Sequence, residues 1–178
     1  MDVETMNRLS REECFQLLKD YGTPEHVIAH CRAVAKVATT LGMKLKEKGV
    51  NLDLNLIESS ALLHDIARVE PEHEKVAAAF LEKKGYPEQA RIIALHMHYS
   101  AFHEVFQIDE TDLVCLGDRV CKEDRYVGVE ERMAYILNKA KDNPKAVEII
   151  KIKKRELQEF VSKIEAFLGC SLDQLMKG

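Results

Sequence analysis

The stretch Ala61-Leu62-Leu63-His64-Asp65-Ile66-Ala67 sets an imidazole and a carboxylate side by side in a run that is otherwise apolar and helical in pattern. An ionised carboxylate buried without a partner is costly, so Asp65 in that setting demands a cation, a metal or converging hydrogen-bond donors. The adjacent His64 favours a metal, because imidazole and carboxylate together suit transition-metal ions. Neighbouring side chains on a helix diverge by about 100°, so the two can flank one cluster only if further ligands arrive from other helices. His73, His96, His98 and Asp118 are suitable groups, the last in Leu116-Gly117-Asp118-Arg119, a second carboxylate in an apolar run. His30 lies at the core-facing edge of another amphipathic segment, ahead of Val34 and Val37. A single histidine there is ordinarily a hydrogen-bonded, partly buried side chain.

The elements that must position these groups read as helices. Apolar residues recur at three and four positions along almost the whole chain, and no stretch alternates as a strand would, so an all-α fold is expected. Ser10 and Glu13 make a capping box for a first helix closed at Tyr21-Gly22. Thr23 as cap and Pro24 in the first turn open a long second helix, with Val27, Cys31, Val34, Ala38, Leu41 and Leu45 on its apolar face and Gly49 at its end. A third helix is expected from Asp53 to about Ala67, a fourth from Pro71 to Lys84 and a fifth from Pro87 through His96. After a loop from Ser100 to Asp109, a sixth centres on Leu113, Leu116 and Val120. A seventh covers 129–142, and Pro144 opens a last one reaching about Leu168. No repeat or linker divides the chain, which reads as one domain over 1–178.

The 178 residues can bury roughly 70% of their unfolded surface, so this core needs neither disulfide nor structural metal, and any metal serves chemistry. Only 8 Gly and 4 Pro argue against disorder, and no apolar run approaches the ~20 residues of a membrane helix. The start, MDVETMNRLSREE, has neither the basic nor the apolar region of a secretory signal, so a soluble, cytoplasmic protein is expected. Against 30 acidic side chains stand 26 basic ones, which gives no overall pull toward nucleic acid or anionic lipid, though a local basic pocket is allowed. Lys151, Lys153, Lys154 and Arg155 alternate with Glu148, Glu156 and Glu159, the pattern of a solvated helix face. Cys14, Cys31, Cys115, Cys121 and Cys170 are odd in number and widely spaced, as buried thiols would be.

His30 followed by Ala33-Val34-Ala35, the doublet in ALLHDIAR, Asp118 in LVCLGDRV, and Val129-Glu130-Glu131-Arg132 downstream together resemble the HD-domain superfamily of metal-dependent phosphohydrolases. The likeness runs from about Thr23 to Ile136, with the helices of about 144–178 as an extension. It implies an all-α bundle of the HD-domain type whose central helices supply His30, His64, Asp65 and Asp118 as metal ligands. Many members carry two further histidines for a second metal. His73, in Glu72-His73-Glu74-Lys75-Val76-Ala77, resembles the first, and His96, in Ile92-Ile93-Ala94-Leu95-His96, resembles the second and is favoured over His98.

The six-ligand set is most similar to a bacterial dinuclear subgroup acting on nucleotides such as diadenosine polyphosphates, although the segment Ile66 to Glu72 is short by comparison, so no dinucleotide is assigned. The resemblance implies one or two divalent transition-metal ions, iron or manganese before zinc, nickel or cobalt, with Asp65 as the bridging, catalytic carboxylate. Such a site hydrolyses a small phosphate ester or nucleotide with a metal-activated water. Arg68, Arg119, Lys122 and Arg125 are candidate phosphate clamps. Their alternative is surface pairing with Glu70, Glu123 or Asp124. Two other activities fit the same fold: a di-iron oxygenase and a non-catalytic nucleotide-sensing module. His26, near a helix start, and His103, in a loop, are read as background.

Overall fold

In the computed structural model, residues 8–177 are described; the polar segment 1–7, at the start of the stretch read for a signal, lies outside them. Helix α1 (Arg11–Tyr21) begins at the expected capping box, the Ser10 hydroxyl accepting from the Glu13 amide and the Glu13 carboxylate from the Ser10 amide. Then follow α2 (Glu25–Glu47), α3 (Leu54–Leu63), α4 (His73–Lys83), α5 (Pro87–Leu95), a 3-10 turn (Val105–Gln107) and α6 (Glu110–Arg119). Two short antiparallel strands, β1 (Cys121–Lys122) and β2 (Arg125–Tyr126), precede α7 (Gly128–Lys139), α8 (Pro144–Leu168) and α9 (Leu172–Lys177). Among the described residues no helix is long and apolar enough to cross a membrane.

Helix α2 is the axis of the bundle, packed against α3 and α6, which also meet each other; α4 and α5 form a pair that joins through α5. Val34, Ala38 and Leu41 of α2, Ile57, Leu62 and Leu63 of α3, Ile92 and Ile93 of α5, and Leu113 and Leu116 of α6 are all fully buried. Each large side chain among them contributes about 1.5–3 kcal/mol by leaving water. Helices α2 and α6 approach most tightly at Gly117, where a Cβ would stand 3.1 Å from the Val34 carbonyl oxygen. The missing side chain lets the turn after His30 lie against the turn holding Asp118.

The all-α expectation holds, but several boundaries differ. Pro24, rather than Thr23, caps α2, and the buried Thr23 hydroxyl donates instead to the Ile66 carbonyl at 2.8 Å. Helix α3 stops at Leu63, short of Ala67. Beyond it Ile66, Arg68 and Glu70 donate to carbonyls three residues back, in successive turns that end at Pro71, whose ring cannot continue a helix. Helix α4 therefore starts at His73 rather than Pro71, after Glu72 in a left-handed conformation (φ 50°). Helix α7 runs from Gly128 to Lys139 rather than over 129–142, and α9 follows the left-handed turn at Gly169. The β1–β2 hairpin departs from a strandless expectation, because two-residue strands are too short to alternate visibly. The cysteines are free thiols; four are buried and Cys170 is half-buried.

The segment between α5 and α6 is fastened by Asp112. Its fully buried carboxylate accepts from the Tyr99 hydroxyl at 2.5 Å, from His103 Nδ1 at 2.8 Å and from the Asp109 amide at 3.0 Å. Phe102 stacks on Phe160 of α8 at 4.4 Å. His103 is thus a structural partner rather than background, its pKa held above 6.5 by the hydrogen bond to Asp112.

Two outcomes are expected. Gly117→Val should lower the urea midpoint by about 1–3 kcal/mol of stability, since a backbone carbonyl cannot step aside. Gly42→Ala, whose new methyl meets only the movable ends of Ile57 and Leu54, should cost less; equal midpoints for the two would contradict the close α2–α6 contact. For His103, NMR titration should place the imidazole above 6.5, and Asp112→Asn should return it toward that value. Because the folded His103 pKa is the raised one, its share of the stability is present below pH 6.5 and fades as pH climbs through the folded value, while burial raises the Asp112 carboxyl, so the pair is lost again in stronger acid. Asp112→Asn should therefore cost more stability in mildly acidic than in alkaline solution.

Candidate metal centre

Six of the side chains singled out in the sequence converge. His30 comes from the second turn of α2, and Asp118 from the last turn of α6. His64 caps the C-terminus of α3 with Asp65 directly after it, His73 opens α4, and His96 caps the C-terminus of α5. The doublet thus lies past the end of its helix, not inside it as the apolar run suggests. Leaving the helix lets Asp65 and His64 face one point despite being sequence neighbours.

Asp65 stands at the middle. Its Oδ2 lies 3.7 Å from His30 Nε2 and 3.6 Å from His64 Nε2, while Oδ1 lies 3.3 Å from His73 Nε2 and 3.5 Å from His96 Nε2. Asp118 Oδ1 reaches His30 and His64 at 3.0 and 3.3 Å. Two ligand sets result, His30/His64/Asp65 with Asp118 beside them and Asp65/His73/His96, sharing one carboxylate.

The imidazoles are aimed by their outer nitrogens. His64 Nδ1 and His96 Nδ1 each donate to a carbonyl three residues back, Ala61 and Ile93, at 2.6 Å. His30 Nδ1 donates to the Glu123 carbonyl at 2.7 Å, at the tip of the β1–β2 hairpin where Glu123 is left-handed (φ 56°). With Nδ1 donating outward, Nε2 faces inward, where it bears a proton beside the carboxylates or, once that proton is displaced, presents the lone pair a metal ligand needs. The Nε2 atoms of His64, His73 and His96 are buried and have no hydrogen-bond partner. His64 and His96 are 0% and 2% exposed, so water does not satisfy them from outside. Orphaned buried nitrogens of this kind are rare unless something binds them, and a divalent cation fits both the donor set and its spacing.

The electrostatics agree. Burial alone would raise the Asp65 carboxyl, but the charge of His64 and the ring nitrogens of His73 and His96 hold it well below the usual range. Asp118 is likewise held far down against its burial by His30 and His64. Burial opposes a charge on His64, and Asp65 overrides it and lifts the imidazole well above 6.5. Two buried carboxylates thus require positive charge at this place.

The other expected residues fall at varied distances. Arg68 Nε lies 3.9 Å from Asp65 Oδ2 with its side chain 57% exposed, at the rim. Arg119 donates to the Tyr99 carbonyl and lies over Phe102. Lys122 sits over the Tyr135 ring, and Arg125 pairs with Glu131 rather than with the acids near it in sequence. His98 lies outside the cluster, 79% exposed and 3.8 Å from Glu74; His26 is exposed. The sequence reading missed Glu74, buried with Oε2 3.9 Å from His73 Nδ1, because an acid in a first helical turn is an ordinary feature. A third cluster, His103/Asp109/Asp112, is satisfied by its own hydrogen bonds. Two clefts of about 640 and 520 Å³ contain none of the six convergent residues, so it is chemistry rather than volume that marks the centre.

Comparison with known proteins bears on this arrangement. The family model for the HD domain matches residues 27–152. The chain is 36% identical to an uncharacterized protein of Methanocaldococcus jannaschii over 86 residues, 47% of this chain and 50% of that one. It is 33% identical to a tRNA (cytidine(56)-2'-O)-methyltransferase of Thermoplasma volcanium over 79 residues, 43% of this chain and 22% of the other. The chain thus spans half or less of the length of these curated relatives. No solved structure matches. With the family match covering most of the chain and embracing all six convergent side chains, this protein belongs to the HD domain family.

Proposed function

We propose that the chain is a metal-dependent phosphohydrolase acting on a small phosphate ester or nucleotide. The observation that supports this best is the set of buried, unpartnered imidazole nitrogens on both sides of one carboxylate. His30, His64, Asp65 and Asp118 would hold one divalent ion, and Asp65, His73 and His96 a second; the mixed ligation suits iron, manganese, zinc, nickel or cobalt, and the family resemblance favours iron or manganese. Bound there, the ions would supply Lewis-acid polarisation of a phosphoryl group and an acidified water for in-line attack.

The chain's own residues do the remainder. The carbonyls of Ala61, Ile93 and Glu123 lock three rings in place, so no reorganisation is needed as charge develops. Asp65 is the catalytic residue because it alone faces both ligand sets. Arg68 at the rim is placed to pair with a phosphoryl oxygen, and Arg119 and Lys122, which follow Asp118 in sequence, are the candidates for the rest of the substrate. The partners this reading asks for are small phosphorylated molecules rather than a membrane or a nucleic acid.

Metal analysis of the purified protein and hydrolysis of a nucleotide panel with added manganese or iron test the reading; a protein that takes up neither ion and hydrolyses nothing would overturn it. Asp65→Ala should lose metal uptake and turnover together, by more than about 100-fold, since merely removing the groups that orient such ligands costs about 10- to 100-fold. Manganese should raise the melting temperature of the parent chain and not of Asp65→Ala. His98→Ala should retain both metal and activity.

A further inference from the structure

Three cations gather round one half-buried ring on the side of the hairpin. Lys122 of β1 and Lys139 of α7 place their ammonium groups 4.3 and 4.5 Å from the centre of the Tyr135 ring, and the Arg132 guanidinium lies 5.7 Å from it. Contact with an aromatic face contributes little where water reaches it, and like charges brought this close repel. Among the described residues none of the three makes an ion pair, in a chain whose net charge is −4. The acids on the same helix are committed elsewhere, Glu130 to Lys154 and Gln158 and Glu131 to Arg125. Arg132 Nε is buried and has no hydrogen-bond partner. The cluster therefore has both the charge and an unused donor for an anion.

Its position ties it to the metal centre. Lys122 is one residue from Glu123, whose carbonyl holds His30, and the hairpin's inner residue Cys121 feels Asp118 and His64 on one side and Arg132 on the other. The Tyr135 phenol is held below its usual range by Lys139 at its hydroxyl, with the charges of Lys122 and Arg132 adding to it, which places all three cations on one spot.

We propose that Lys122, Arg132 and Lys139, gathered round Tyr135, form a subsite for the phosphates of a substrate's chain that lie beyond the reacting one. The inference rests on the phosphohydrolase reading and narrows it, to substrates carrying a diphosphate or triphosphate. A single phosphoryl group is met by the metal centre and Arg68 alone; three further cations serve only a longer anion. Guanidinium and ammonium groups pair well with non-bridging phosphate oxygens.

The test is calorimetric titration of the chelator-treated full chain with inorganic triphosphate and with orthophosphate, which separates binding here from hydrolysis. Triphosphate should bind at least about tenfold more tightly than orthophosphate and weaken with salt. The double substitution Lys122→Gln/Lys139→Gln, on exposed or half-exposed side chains, should cost about tenfold or more, as should Arg132→Gln if it folds by circular dichroism. Lys19→Gln, exposed on α1, should change nothing. Equal affinity for the two anions, or triphosphate binding untouched by the double substitution, would overturn the subsite. So would tight binding of a purified tRNA through these residues without any of triphosphate, which would make them a nucleic-acid surface. Triphosphate binding lost on substitution, in a protein that hydrolyses nothing with any metal, supports the subsite and counts against the phosphohydrolase reading instead.

Discussion

A carboxylate withdrawn from water and ringed by four imidazole nitrogens is the constraint on which the structure turns. Asp65 is 7% exposed, beside His64 at 0%, in the middle of an apolar bundle. Neither residue adds to the hydrophobic stabilisation that holds that bundle together. An unpaired buried carboxylate costs several kcal/mol after relaxation, a sizeable part of the ~5–15 kcal/mol by which a domain of this kind is stable. The fold can sustain that burial only where positive charge meets it, so the positions of four helices and a hairpin are bound to one point.

The bundle meets the demand with helix ends rather than helix middles. Inside a helix His64 and Asp65 would point about 100° apart; past Leu63 the backbone turns, and both face inward. In the last turns of α3 and α5 the ring nitrogens of His64 and His96 donate in the same way to Ala61 and Ile93, the second carbonyl also accepting from the His96 amide. One local device thus orients both rings and aims their inner nitrogens at the centre. Because α2 and α6 touch at Gly117, His30 and Asp118 meet at 3.0 Å without a long side chain to span the gap.

Much of this was legible in the residues. The periodicity disclosed the helices and their apolar faces, since Val34, Leu41, Ile93 and Leu116 are core residues by the same spacing that marks them as helical. The polar residues that break the apolar pattern, His64, Asp65, His96 and Asp118, were conspicuous because burial of such groups is costly. What escaped had no such signature. A two-residue strand leaves no alternation, yet its turn supplies the carbonyl that orients His30. The end of α3 was hidden because Ile66 and Ala67 are as apolar as the helix before them, and only the Thr23 hydroxyl on the Ile66 carbonyl and Pro71 beyond show why the helix stops. His103 looked idle because its partner, Asp112, lies nine residues on, as a helix-start acid whose burial no local pattern announces.

The acidic balance of the chain gives a poor guide to what it attracts. A net charge of −4 counts Asp65 and Asp118 as free negatives, although Asp65 is buried and Asp118 half-buried against the imidazoles of His30 and His64. With two divalent ions held among the six side chains, the added charge of 4 cancels the net −4 of the whole protein, and the centre, with two carboxylates against two dications, becomes locally positive. Several of the remaining acids pair with lysines and arginines on the surface, Glu58, Glu47, Glu72 and Glu131 among them, where water and salt screen them within about 10 Å. A phosphate approaching Arg68 would then meet the field of the ions and of the nearest guanidinium, and the distant carboxylates that set the isoelectric point would contribute little to it.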